Sequence, residues 1–377
     1  MSLSLIVEAV ADTIMALPLD RVTDNYSHKT PVLLSLGCYD SQRSSYTSGY
    51  FLSRTKEKPM NKPSLLLQFA DFMRHHRLPD TFLNTIGEYY LPLAQWIENH
   101  RPLNRTWIIG LNGAQGTGKS TLSGLLKIIL EESFNCNTAI ISLDDLYLPR
   151  ADRRALAQSV HPLLQTRGVP GTHDTQLGKN ILYQLSHLKA GQTLSLPRFD
   201  KACDEPLAKD KWETFIGPAD IVIFEGWCMG SSAESEDALA QPINELEKQE
   251  DKQGLWRHYV NDKLQTSYKE LFAYNDLLIM LKAPNFESIH RWRWQQEQKL
   301  AATITTNNAL KQGTQLMDEK GITRFIQHYE RLTRHNLAQL PEQADILLTL
   351  NEDHTIANVR YKESAHKAPL ADSERRE

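Results

Sequence analysis

Apolar residues change their spacing along this chain, and the changes divide it. In the first hundred residues they recur at helical intervals, with Val7, Val10, Ile14 and Leu17 in one stretch and Tyr89, Leu93 and Trp96 in another. Between these, residues 22–63 are rich in Ser, Thr, Lys and Pro, the composition of a long loop. From residue 106 onward, short apolar runs alternate with helical connections. The runs cover 107–111, 138–143, 221–225, 277–282 and 346–350. Five runs joined in this way predict a mainly parallel, doubly wound α/β sheet of five strands, each buried on both faces. Two segments interrupt the rhythm: the acidic stretch 231–254 and the polar stretch 299–315, whose Thr, Asn and Gln cannot build a core. Ile322, Phe325, Ile326 and Tyr329 then restore a helix, and 362–377 reads as a disordered tail.

Directly after the first apolar run, residues 113–120 read Gly-Ala-Gln-Gly-Thr-Gly-Lys-Ser. This octet fits the phosphate-binding pattern G-x-x-x-x-G-K-[ST] at every fixed position. Leu122, Leu125, Leu126, Ile129 and Leu130 follow at helical spacing, so the loop lies between a buried strand and the positive end of a helix. A nucleoside triphosphate is the expected ligand. Gly113, Gly116 and Gly118 allow the tight turn, and the backbone of Ala114, Gln115, Thr117 and Thr121 completes the cradle. Lys119 supplies a charge to the β- and γ-phosphates and Ser120 a hydroxyl for Mg²⁺.

Three further segments carry candidate chemistry. The second apolar run ends in Asp144 and Asp145, with Tyr147 close behind, at the sheet edge where open α/β folds bind ligands. Asp144 is placed to deprotonate an acceptor hydroxyl in line with a γ-phosphate, and Asp145 to cap the next helix. The run 221–225 closes on Glu225 followed by Gly226, a form suited to holding Mg²⁺. Residues 167–174 and 196–201 combine Pro or Gly turns with Arg167, His173, Arg198 and Lys201, cations suited to a carboxylate-bearing acceptor. Ordinary surface turns with Arg–Asp pairing are the plain alternative for both loops. Before the polar stretch, Arg291 and Arg293 bracket Trp292. Two residues apart, they cannot share a helix face, so one of them, taken as Arg291, is expected at the transferring phosphoryl group. Trp292 and Trp294 read as packing.

Composition narrows the partners. Lys plus Arg number 42 against 46 Asp plus Glu, a net charge of -4, so nothing draws the chain to nucleic acid or to an anionic membrane. Cys38, Cys136, Cys203 and Cys228 form no C-x-x-C pair, which argues against a zinc site or a disulfide framework. No apolar run reaches the ~20 residues of a membrane span, and a cytoplasmic location is expected.

The phosphate loop, the segment 142–147 and the Arg/Gln-rich helix after residue 290 resemble the phosphoribulokinase, uridine kinase and pantothenate kinase superfamily of P-loop kinases. A narrower likeness lies in 167–174, 197–201, 224–228, 242–247 and 256–261, which resemble the plant and fungal type of D-glycerate 3-kinase. The resemblance implies a P-loop kinase fold, and with the apolar spacing the expected domains are a helical extension over 1–104, a kinase domain over 105–361 with a lid at about 296–320, and the tail 362–377. The resemblance also implies transfer of the ATP γ-phosphoryl group to the 3-hydroxyl of D-glycerate. Residues 113–121 would hold ATP and Mg²⁺, Asp144 would be the base and Glu225 the acid of the Mg²⁺ site. The acceptor loops would be those around His173 and Arg198. An ATP-binding regulatory protein of the same fold, or a kinase for pantothenate, a nucleoside or a sugar phosphate, is the rival reading, and acceptor-dependent consumption of ATP separates them.

Overall fold

The computed structural model describes residues 62–307 and 317–362. The helix expected around Val7 to Leu17, most of the loop at 22–63, the centre of the lid and the tail after 362 lie outside the described residues. In chain order the strands are β1 (Trp107–Gly113), β2 (Thr138–Ser142), β3 (Thr193–Leu196), β4 (Phe199–Asp200), β5 (Glu205–Pro206), β6 (Glu213–Ile216), β7 (Ile221–Gly226), β8 (Leu277–Lys282), β9 (Ile346–Leu350) and β10 (Ile356–Tyr361). Six of them form one sheet in the order β10-β9-β8-β1-β7-β2.

Each of the five apolar runs is a strand of this sheet, and the pairs between them are parallel. The expected count of five is corrected to six by β10, which runs antiparallel to β9 at the edge. Its sequence, Ile-Ala-Asn-Val-Arg-Tyr, carries Asn and Arg because only part of an edge strand is covered, and periodicity therefore missed it. β1 is buried at all seven positions, as a central parallel strand requires.

Helices cover both faces. On one, Leu122, Leu125, Leu126 and Ile129 of the helix Lys119–Phe134 pack with Ile109 and Leu111 of β1. Leu65, Phe69, Leu93 and Ile97, from the helices Lys62–His76 and Leu91–His100, join this same core. The Phe72 ring lies 2.5 Å from where a Cβ on Gly124 would stand, so only glycine lets the two helices approach so closely. On the opposite face, Ile181, Leu185, Tyr268 and Leu332 pack with Ile108, Val222 and Phe224. Each fully buried Leu or Ile contributes about 1.5–3 kcal/mol, so both layers hold the sheet edge rigid.

The four small strands make two antiparallel ribbons, β3 with β6 and β4 with β5, which carry the loop 196–201 to the edge of β2. The polar stretch begins as helix rather than loop, since Phe286–Asn307 is one continuous element. Residues 308–316 lie outside the described part.

Candidate active site

β1 ends at Gly113, and the chain then folds over itself. Thr117 donates to the Ala114 carbonyl through both its amide (3.2 Å) and its hydroxyl (2.8 Å). Gly116 and Gly118 have φ of 85° and 86°, a region that costs other residues strain. The helix Lys119–Phe134 starts with no side-chain cap, so the amides of its first turn are left for an anion. A Cβ on Gly118 would meet nothing within 4 Å, so the mouth of this cradle is open to a ligand. Gln115 Oε1 is buried without a partner. A triphosphate fits these residues.

Trp292 braces the loop from below. A Cβ on Gly116 would come within 2.9 Å of the Trp292 Cβ. The indole also stacks on His354 (4.3 Å) and donates to the Glu352 carbonyl (2.8 Å). The two neighbouring arginines part company, as their spacing requires. Arg291 pairs with Glu352 (3.1 Å), whereas Arg293 pairs with Glu297 (2.8 Å) and lies over the Phe325 ring.

Register brings Glu225 to the loop. In β7 it lies beside Leu111 of β1 and Ser142 of β2. Its buried carboxylate accepts hydrogen bonds from Ser120 Oγ (2.9 Å) and Ser123 Oγ (3.1 Å). Sequence reasoning missed Ser123, although its position three residues after Ser120, on one helix face, was a usable signal. No group of three His, Cys, Asp or Glu able to hold a metal exists among the described residues. A hydroxyl and one carboxylate beside a triphosphate nevertheless fit Mg²⁺, which keeps waters and takes phosphate oxygens as ligands.

Asp144 and Asp145 form a short 3₁₀ turn directly after β2. Asp144 accepts from Tyr147 OH at Oδ1 (3.0 Å) and from Lys201 Nζ at Oδ2 (2.7 Å). Burial alone would raise the Asp144 carboxyl, but the positive charges of Lys201 and Lys119 outweigh it and hold the group below its ordinary value. A carboxylate kept ionised beside a phosphate cradle can take a proton from an alcohol.

Asp145 does not cap the next helix, which corrects that expectation. It accepts from the Phe199 amide (3.0 Å) and from Arg198 Nη1 (3.2 Å), fastening the loop 197–201 to the sheet edge. Arg198 is also paired with Glu213 through Nη2, so both of its terminal nitrogens face carboxylates. Asp200, two residues on from Arg198, accepts from the Ala202 and Cys203 amides. Arg167 is bound to Asp204, which also holds the buried Arg153 at 2.8 Å. Lys201 is therefore the loop cation that binds Asp144, while Arg167 and Arg198 bind other acidic side chains.

His173 faces the same place from the other side. A bridge between Tyr147 and His173 joins the two segments, with Leu148 donating to the Thr172 carbonyl (2.9 Å) and Asp174 to that of Leu146 (2.7 Å). The imidazole lies flat on the Tyr147 ring (4.3 Å) and contacts Tyr268 OH through Nδ1 (2.5 Å). Burial pushes it down to about 3, against the opposing pull of Asp144. Asp174 has an ordinary role, capping the helix Thr175–His187 through the Leu177 amide (2.8 Å).

No family model matches the chain. It is 32% identical over 237 residues to an uncharacterized kinase, mug58, of Schizosaccharomyces pombe, an alignment covering 61% of this chain and 80% of the relative. To the chloroplastic D-glycerate 3-kinase of Arabidopsis thaliana it is 29% identical over 227 residues, or 55% of this chain, and it spans about half (47%) of that protein. A solved D-glycerate 3-kinase from Cryptococcus neoformans var. grubii shares the fold with a TM-score of 0.58 and 24% identity, over 79% of this chain and 99% of that one. No helix among the described residues is long and apolar enough to cross a membrane.

Proposed function

The chain belongs to the D-glycerate 3-kinase-type family of P-loop kinases, and on that premise we propose that it transfers the γ-phosphoryl group of ATP to the 3-hydroxyl of D-glycerate, yielding 3-phosphoglycerate. The observation that carries this reading is the Asp144 carboxylate, held ionised between Lys201 and Tyr147 in the turn that follows the strand paired with Glu225's. Residues 113–121 bind the triphosphate of ATP, and Lys119 offsets charge on the β- and γ-phosphates. Ser120 and Glu225 would hold Mg²⁺, which would neutralise charge on the phosphates. Asp144 orients the acceptor hydroxyl and takes its proton as the oxygen attacks phosphorus. Lys201, 58% exposed beyond its bond to Asp144, is the cation available to the acceptor carboxylate. Tyr147 holds Asp144 through its hydroxyl, and His173 stacks on the Tyr147 ring. Arg198 and Arg167 hold the acceptor loops in place, and Arg291 is the arginine assigned to the transferring phosphoryl group.

The test is acceptor dependence. With ATP and Mg²⁺ present, D-glycerate should stimulate ADP release far more than pantothenate, uridine or ribulose 5-phosphate does. Equal consumption of ATP with and without every acceptor would replace the kinase by an ATP-binding regulator. Stimulation by one of the others alone would move the acceptor.

A further inference from the structure

The bonds around His173 assign its tautomer, and with it a role to a residue that never reaches the surface. Tyr268, in the short helix Ser267–Phe272, is fully buried, and its hydroxyl accepts the Gly171 amide (3.0 Å). That same hydroxyl lies 2.5 Å from His173 Nδ1. A phenol has one proton to donate. If Nδ1 carried the imidazole proton, the hydroxyl would accept twice and its own proton would have no acceptor among the described residues in this buried place. If the hydroxyl donates to Nδ1, every group of the trio is used, and the imidazole proton must be on Nε2. His173 Nε2 is buried and has no partner among the described residues. Tyr147 lies flat on the same imidazole while its hydroxyl holds Asp144, so ring and carboxylate flank one phenol.

We propose that Tyr268 is a positioning residue: it accepts the Gly171 amide, donates to His173 Nδ1, and so keeps the imidazole in the Nε2–H tautomer that donates to an oxygen of the phosphoryl acceptor beside the reacting hydroxyl. The proposal rests on reading this place as an acceptor site. A donor here discriminates among acceptors, since one lacking an oxygen at that point leaves the Nε2–H unpaired when water is shut out. Because burial disfavours the charged ring, the donor is a neutral imidazole and does not neutralise Asp144.

Two readouts test it on the whole protein, one of them independent of activity. Imidazole nitrogen shifts of ¹⁵N-histidine protein, with His173 assigned among the 13 histidines by its loss in His173→Gln, should show the proton on Nε2 without any ligand. In Tyr268→Phe the proton should redistribute toward Nδ1. Kinetically, Tyr268→Phe should raise the KM for D-glycerate about three- to tenfold, the range for one neutral hydrogen bond, with the KM for ATP unchanged. His173→Gln, whose amide nitrogen can replace Nε2–H, should stay closer to wild type than His173→Asn, whose amide falls near Nδ1. A wild-type proton on Nδ1 overturns the proposal, as does Tyr268→Phe or His173→Asn with wild-type acceptor kinetics. If no acceptor is phosphorylated by the wild type, the functional reading fails while the nitrogen shifts still decide the tautomer.

Discussion

Replacing His173 by Gln should flatten the protein's acid sensitivity by an amount that follows from burial. His173 is 4% exposed, and burial holds its imidazole down at about 3. In the unfolded chain the ring takes up a proton near its ordinary value of about 6.5. Between those two values the unfolded state binds more protons than the folded one, so stability falls as pH is lowered through the window. At pH 7 the cost is only about 0.2 kcal/mol, and at pH 5 it reaches about 2 kcal/mol, about 1.5 units at about 1.4 kcal/mol each. Gln does not titrate, so the variant escapes this term, whatever fixed cost the substitution adds. Urea unfolding followed by tryptophan fluorescence at both pH values gives the comparison. The stability of wild type relative to His173→Gln should drop by about 2 kcal/mol from pH 7 to pH 5. An unchanged difference would mean that the folded protein accommodates the charged ring, and the neutral donor would be refuted.

The loop cations should separate by role. Lys201→Ala should raise the KM for D-glycerate roughly ten- to hundredfold, the loss of one charged hydrogen bond, with little change for ATP, whereas Arg198→Ala, already paired with Asp145 and Glu213, should move it less. A larger effect at Arg198 in steady-state kinetics would return the carboxylate to that residue. Away from the site, Arg331 binds the fully buried Glu247 through Nε and Nη2 (both 2.7 Å). Arg331→Met should therefore cost about 3–5 kcal/mol by stranding a buried charge, and a loss below about 1 kcal/mol in equilibrium unfolding would refute that account.

What could be read from the sequence was chemistry carried on one contiguous segment. The phosphate loop has fixed spacing, its glycines meet a local backbone demand, and a strand buried on both faces announces itself as an unbroken apolar run. Asp144 and Glu225 stood out because each ends such a run. Legibility ended where a partner came from far along the chain. Asp145 was read as a cap because its bonds to Arg198 and Phe199 cross more than fifty residues, distances 53 and 54 in sequence. Arg167 gave no hint of Asp204, nor His173 of Tyr268, since no local spacing links either pair. The edge strand β10 escaped because an exposed face removes the apolar signal.

Asp144 is the residue on which the proposed chemistry turns, and Asp144→Asn, nearly isosteric and still able to accept from Tyr147, tests it most directly. The measurement is kcat with D-glycerate and ATP varied independently, together with ATP affinity by direct titration. Loss of a general base predicts a fall in kcat of about 10²–10⁴-fold with ATP affinity retained. Wild-type turnover in the folded variant, or a loss of ATP affinity that accounts for the whole decline, would contradict the account, because the carboxylate would then be dispensable or would serve the nucleotide and its metal instead of the acceptor hydroxyl.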